Sequence, residues 1–223
     1  MKRCLIIAAH PDDEVLGCGG IISRFIGETK FSVLFIAEGT SCRFGQINDE
    51  CRAEIKNRKQ CSLKALNRLG ISRVTFQDLP CGMLDTISQL KINKIIEKEI
   101  KEFKPDTVFT HWVSDSNKDH QKVHDATIIA TRPYNSVVKN VFCYEVLSST
   151  EWNFKNSFNP DTFYSLSPKN VEDKCLAMND YYTECKPWPY PRSSEGIETL
   201  AKYRGMQSGN YFAEAFKTLR RVQ

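Results

Sequence analysis

The stretch Cys4-Leu5-Ile6-Ile7-Ala8-Ala9-His10-Pro11-Asp12-Asp13-Glu14-Val15-Leu16-Gly17-Cys18-Gly19-Gly20-Ile21-Ile22 changes character twice. Its first six residues form a continuous apolar run, the pattern of a strand covered on both faces. An imidazole and three carboxylates follow, and then a pattern that predicts a helix. One carboxylate would serve the helix N-terminus. Folding does not call for three of them and a histidine at a strand-to-helix junction. The residue types point to a metal ion, and so to a hydrolase.

Working outward, short apolar runs alternate with helical patterns. Strands are predicted at Arg3 to Ala9, Phe31 to Ala37, Arg73 to Phe76, Asp106 to Thr110 and Val141 to Leu147. Helices are predicted at about 15–27, 49–69, 88–103 and 118–131. Leu69-Gly70 and Lys104-Pro105 mark two helix ends. This alternation implies an α/β, Rossmann-like fold, a mostly parallel sheet with helices on both faces. After Leu147 the pattern loosens. Ser148 to Ser167 reads as loop with one short strand near Phe163-Tyr164, and helices resume at about 169–183 and 194–206. The expectation is a single domain over 1–223, with an α/β core at about 1–147 and an irregular helical cap at about 148–223.

A chain of 223 residues with 41% hydrophobic and 26% charged content fits a globular domain able to bury a core. A net charge of +4, scattered along the chain, gives no argument for nucleic acid. The apolar run after Lys2 and Arg3 stops at His10, too short for a signal segment, and no stretch approaches a membrane span. Nine cysteines without a CxxC pair read as reduced thiols of a cytoplasmic protein. Cys4, Cys143 and Cys175 lie in apolar runs and read as core residues.

In a parallel sheet, ligands bind at the carboxyl ends of strands. Three such ends carry polar clusters: His10 to Glu14, Ala37 to Ser41, and Thr110 to His120 with His124 one turn later. The last cluster holds three of the four histidines. A catalytic zinc site takes three His or carboxylate ligands and leaves a position for water. His10, Asp13 and His120 supply that set, and iron(II) or another divalent ion would suit it as well as Zn²⁺. Asp12 is then free to act as general base. His124 shares a helix face with His120 and is a candidate for the metal's surroundings. Asp115 and Asp119 are candidates to orient an imidazole, with a turn-forming role as the other reading of Asp115. Glu14 stands either behind the ligands or as a partner of the helix dipole. Gly17, Gly19 and Gly20 lack the spacing of a dinucleotide fingerprint and read as close packing of helix on sheet. No GxSxG elbow or Walker lysine motif occurs.

Ala9-His10-Pro11-Asp12-Asp13-Glu14, with Asp115-Ser116-Asn117-Lys118-Asp119-His120, resembles the LmbE-like (PIG-L) family of zinc-dependent N-acetylglucosaminyl deacetylases. Ala37-Glu38-Gly39-Thr40, Arg204-Gly205 and Tyr211 to Phe216 extend the likeness over most of the chain. The resemblance implies metal ligands at His10, Asp13 and His120, a general base at Asp12 and a substrate-contacting arginine at Arg58. Asn117 stands where many members carry a histidine. Asparagine can donate to an oxyanion but cannot supply a proton, which leaves His111 or His124 as candidates for that part, or Asp12 as base and then acid, with His111 also a candidate substrate contact. Cys61 and Cys81 replace residues that are commonly acidic.

The expected reaction is removal of an N-acetyl group from a small-molecule amino-sugar substrate, with release of acetate. Arg43, Arg58, Arg192 and Arg204 are candidates to meet a phosphate on it. The alternatives are an amidase acting on another N-acyl group, or a zinc- or sugar-binding protein of weakened chemistry. The aromatics of Trp152-Asn153-Phe154 and Asn156-Ser157-Phe158 are candidates for a homo-oligomer contact or a substrate lid.

Overall fold

In the computed structural model, which describes residues 1–222, the opening apolar run is strand β1 (Arg3–Ala8), and helix α1 (Asp13–Phe25) follows the charged loop. The alternation continues as β2 (Lys30–Ala37), α2 (Asp49–Arg68), β3 (Val74–Leu79), α3 (Gln89–Phe103), β4 (Thr107–His111), α4 (Lys118–Ala130) and β5 (Asn140–Tyr144). Each lies where the sequence pattern predicts it, with ends displaced by a few residues. Two helix ends have the backbone their residues suggested: Gly70 follows α2 at φ +83°, and Lys104 closes α3 in the left-handed region before Pro105.

The order of these five strands is β3-β2-β1-β4-β5, and all are parallel. The chain winds from β1 out to β3 and then starts again on the other side at β4. A crevice therefore opens at the carboxyl ends of β1 and β4, the place where ligands bind in such sheets. His10 follows one of these strands and His111 ends the other.

Strand β1 shows why its sequence has no polar face. Cys4, Ile6 and Ala8 join a core with α1 and α2 residues such as Leu16, Ile21 and Leu66. Leu5, Ile7 and Ala9 join a second core with Ile96, Ile100 and Val123 of α3 and α4. Alternate side chains thus point to opposite buried faces.

The C-terminal third adds β6 (Thr162–Leu166), α5 (Pro168–Asn179), α6 (Ser194–Ser208) and β7 (Phe212–Arg220). The expected short strand near Phe163 is β6, and the two expected helices are present. The part that sequence reading missed is β7, which lies between β5 and β6 and is antiparallel to both. Its stretch Phe212-Ala213-Glu214-Ala215-Phe216 contains alanine and glutamate, which are poor strand formers. Tertiary contacts override that preference. Buried Lys174 meets Glu214 at 2.6 Å and donates to the Leu16 carbonyl, while Glu214 accepts from the N–H groups of Gly20 and Ile21. The pair is let into the middle of α1. Close packing also explains the glycines: a Cβ at Gly17 would stand 2.3 Å from the Tyr144 ring, and one at Gly20 2.5 Å from Leu166.

Candidate active site

The loop between β1 and α1 holds an unusual backbone. Asp12 sits at φ 120°, a region that disfavours a side chain and costs about 1–3 kcal/mol. Its N–H donates to Glu14 Oε2 at 2.9 Å, and the Tyr181 hydroxyl donates to Glu14 Oε1 at 2.5 Å. Burial pushes the Glu14 carboxyl up to about 8, against the lowering effect of these donors. Glu14 is therefore a buried brace for the Asp12 backbone. The His10 N–H donates to Asp13 Oδ2 at 2.8 Å. Neither Asp12 nor Asp13 caps α1 through its side chain, so the capping role open to one of them in the sequence is not taken up.

His10, Asp13 and His120 converge, all buried, with one ligand atom of each within 4.8 Å of the others. His10 Nε2 is 2.9 Å from Asp119 Oδ2, and its Nδ1 faces Asp13 Oδ2 at 3.5 Å. His120 Nε2 is 3.4 Å from Asp13 Oδ1, while its Nδ1 lies 3.1 Å from Asp115 Oδ1, off the line of a hydrogen bond. Each imidazole thus has one nitrogen on a rear carboxylate and the other toward Asp13. That is the arrangement of histidines oriented for a cation. Burial opposes charge on both rings, yet Asp119 and Asp13 raise His10 to about 8, and Asp13 with Asp115 raises His120 to about 10. The donor set of two imidazoles and a carboxylate fits a divalent metal ion.

The rear carboxylates are themselves held. Asp119 accepts from the N–H groups of Gly82 (2.6 Å) and Leu84 (3.0 Å). Asp115 accepts from the Asn117 N–H at 2.8 Å and from the hydroxyls of Ser149 and Thr150. Burial raises the Asp115 carboxyl, but His120 and these hydroxyls outweigh it and bring it to about 2.

Asp12 carries the second chemical feature. Its Oδ2 is 2.9 Å from Arg58 Nη2 and 2.6 Å from Arg192 Nη1. Buried Glu184 meets both arginines and also Arg43. Arg58 further donates to the Pro11 carbonyl at 2.7 Å. Among the described residues nothing hydrogen-bonds Oδ1. Sequence reading found Arg58, offered Arg192 only as a phosphate contact, and missed Glu184, a single acid in an aromatic turn that gives no signal. Arg204 does not belong to this group, because it forms a two-pronged pair with Glu145 at 2.7 and 2.6 Å.

Three expectations need correction or sharpening. His111, a candidate substrate contact, is fully buried and accepts the Ala9 N–H at Nε2 (2.8 Å), with its ring stacked 3.9 Å from that of His120. It ends an interior strand, its Nε2 also lies 3.5 Å from Asp13 Oδ2, and it is not among the residues that wall the pocket. His124, a candidate proton donor, lies one turn deeper with Nδ1 2.9 Å from the His111 carbonyl oxygen, again away from the pocket. Asn117 does line the pocket. Its Oδ1 caps α4 by accepting the Asp119 N–H, which leaves the side-chain NH₂ free to donate.

The pocket over these groups has a volume of about 330 Å³ and is walled by Arg43, Arg192, Ser148, Cys42 and Cys81. Glu38, at the end of β2, ties two of its walls together. Its carboxylate accepts from the N–H groups of Thr40 and Ser41 on one loop and of Cys81 on the other. The Cys81 Sγ also lies within 4.8 Å of ligand atoms of His10 and Asp119.

The chain has relatives among known proteins. The family model PIG-L, described as GlcNAc-PI de-N-acetylase, matches residues 5–131, which include His10, Asp12, Asp13 and His120. The chain belongs to the PIG-L family. A curated relative is the uncharacterized deacetylase YaiS of Escherichia coli K12, 28% identical over 189 residues, covering 81% of this chain and 90% of that protein. Among solved structures, the N,N'-diacetylchitobiose deacetylase of Pyrococcus horikoshii superposes with a TM-score of 0.77 at 19% identity, over 98% of this chain and 84% of that one. GalB, the 4-carboxy-2-hydroxymuconate hydratase of Pseudomonas putida, gives 0.76 at 22% identity, over 100% and 98%. The fold therefore hosts more than one reaction, and the site has to select among them. Among the described residues no helix is long and apolar enough to cross a membrane.

Proposed function

We propose that this chain, as one PIG-L domain over residues 1–223, is a metal-dependent N-deacetylase that hydrolyses the acetamide of a small amino-sugar substrate. The observation that carries the reading is the division of labour in the β1–α1 loop. Asp13 faces the two imidazoles, while adjacent Asp12 turns, through its φ of 120°, to the arginine side of the pocket. Pure metal binding would need no second carboxylate held in a strained backbone beside the ligands.

His10, Asp13 and His120 would hold the cation, Zn²⁺ in the first instance, which when bound acidifies a water and polarises an amide carbonyl. Asp12 takes the proton of the attacking water at Oδ1, the oxygen that its arginines leave free. Arg58 and Arg192 fix that carboxylate from the other side. The Asn117 amide donates to the oxyanion as charge develops on the former carbonyl oxygen. Asparagine has no proton to give, and neither His111 nor His124 lines the pocket. Asp12 therefore returns its proton to the leaving nitrogen, acting as base and then as acid. The products are acetate and a free amine.

The acetamide class is supported by family membership and by the deacetylases among its relatives. The test is to load purified protein with Zn²⁺ and assay N-acetylglucosaminyl substrates for acetate and for a mass loss of one acetyl group. Acetate release that depends on Asp12 supports the reading. Stoichiometric zinc binding with no release across a panel of acetylated sugars overturns it.

A further inference from the structure

Cys42 follows β2 and Cys81 follows β3, yet their Sγ atoms are 3.1 Å apart. Both line the pocket, Cys42 exposed and Cys81 buried, and both are free thiols. The steps proposed for deacetylation use neither. The approach is built into the backbone: Gly82 adopts φ +72°, and a Cβ there would stand 3.1 Å from the Cβ of Cys42. Glu38 bridges the same two loops from beneath by accepting the N–H groups of Thr40 and Cys81.

What lies next to Cys81 gives the pair a consequence. The Gly82 N–H donates to Asp119 Oδ2 at 2.6 Å, and that oxygen is 2.9 Å from His10 Nε2. One covalent step and two hydrogen bonds therefore connect the Cys81 backbone to a residue of the His10, Asp13, His120 set.

We propose that Cys42 and Cys81 are an oxidisable dithiol whose disulfide weakens the hold of the site on its metal, with hydrogen peroxide or an organic hydroperoxide as the oxidant. The Cys42 sulfur, the exposed one, attacks a peroxide oxygen. The O–O bond breaks and the departing oxygen takes up the Cys42 thiol proton, giving a sulfenic acid at Cys42 and water, or an alcohol from an organic hydroperoxide. The Cys81 sulfur then attacks the Cys42 sulfur, the S–O bond breaks, and the oxygen leaves as water with the thiol proton. The two sulfurs lose two electrons and the peroxide gains them. A disulfide needs about 2.05 Å between sulfurs, so closure draws the two loops together by about 1 Å. Displacement of Gly82 by part of that distance shifts its N–H from Asp119, and loss of such an orienting contact costs metal sites roughly 10–100-fold in affinity.

The experiment treats the zinc-loaded protein with one equivalent of hydrogen peroxide, blocks remaining thiols and maps the digest by mass spectrometry. A Cys42–Cys81 linked peptide is expected. Zinc transfer to a chromophoric chelator should become about tenfold faster, and dithiothreitol should restore the slow rate. Cys81→Ser should abolish the link, leave a dimedone-reactive sulfenic acid at Cys42, and remove the effect of peroxide on zinc transfer. Cys42→Ser, an exposed position, serves as the second variant and should also show no link. Absence of the linked peptide, or linkage with unchanged zinc transfer, overturns the proposal. The zinc readout rests on the metal set of the deacetylase reading. Disulfide mapping does not, so the two can fail separately.

Discussion

Arg192 lies 180 residues after Asp12, yet its Nη1 donates to Asp12 Oδ2 at 2.6 Å, on the same oxygen that Arg58 reaches from α2. The Asp12 carboxylate is thereby gripped by the first and last thirds of the chain at once. Glu184 offsets the two guanidiniums that do the gripping. The predictions below begin from that grip.

Asp12→Asn should keep the metal, since the ligand set is untouched, and should lose about 10²–10⁴-fold in turnover. Metal content by elemental analysis and acetate release by a coupled assay read the two effects separately. Full turnover in the variant would remove Asp12 from its role.

Arg192→Ala should lower kcat by about tenfold or more through misplacement of the Asp12 carboxylate. Arg192→Lys should recover only part, because a lysine cannot donate to Asp12, Glu184 and Ser148 from a planar fork. Equal kcat with a raised KM would instead make Arg192 a substrate contact.

Asp119→Asn should weaken zinc binding by roughly 10–100-fold while the fold persists. Competition with a chelator of known affinity checks it. Prolonged chelation of the parent protein should abolish acetate release, and added zinc should restore it.

The sheet and the convergence of His10, Asp13 and His120 could be read from sequence for related reasons. In β1 both faces are covered, so its residues are uniformly apolar, and the charged residues that break the run stand out at once. Glu184 and the β7 strand were hidden for the opposite reason. Glu184 acts through partners on α2 and on the segment before α6, and no local pattern records such contacts. In β7 the alanines and Glu214 suit their site only because Lys174 and α1 are waiting there. The depth of His111 and His124 was hidden because a histidine beside such a cluster looks the same in sequence whether its ring faces the pocket or the core.

Glu214→Ala should destabilise the fold by about 3–5 kcal/mol, because it leaves the Lys174 ammonium buried and unpaired within α1. Replacing both partners, as in Lys174→Met with Glu214→Leu, should cost less than the single change. Chemical denaturation of the two variants checks the order.

Stability should also fall with acidification through Asp180, which joins the end of α5 to Arg68 (2.7 Å) and Lys64 (2.9 Å) of α2. Burial raises the Asp180 carboxyl, but these partners outweigh it and hold it below its ordinary 3.8. A lowered carboxyl stabilises the fold above its unfolded value, and the contribution is lost as pH falls through the folded one. The thermal midpoint should drop as pH falls toward the unfolded value of 3.8 and go on dropping below it, and Asp180→Asn should flatten that part of the curve.

The position of β7 has a consequence for the order in which the molecule can be built. Residues 3–144 can lay down five parallel strands as they leave the ribosome, but β6 has no partner among them and must wait. Only when Phe212–Arg220 arrives can it dock against β5 and take β6 on its other edge. The same late strand brings Glu214 to Lys174. A nascent chain stalled before residue 212 would present the open edge of β5 to its neighbours, so a ribosome paused there holds an aggregation-prone intermediate.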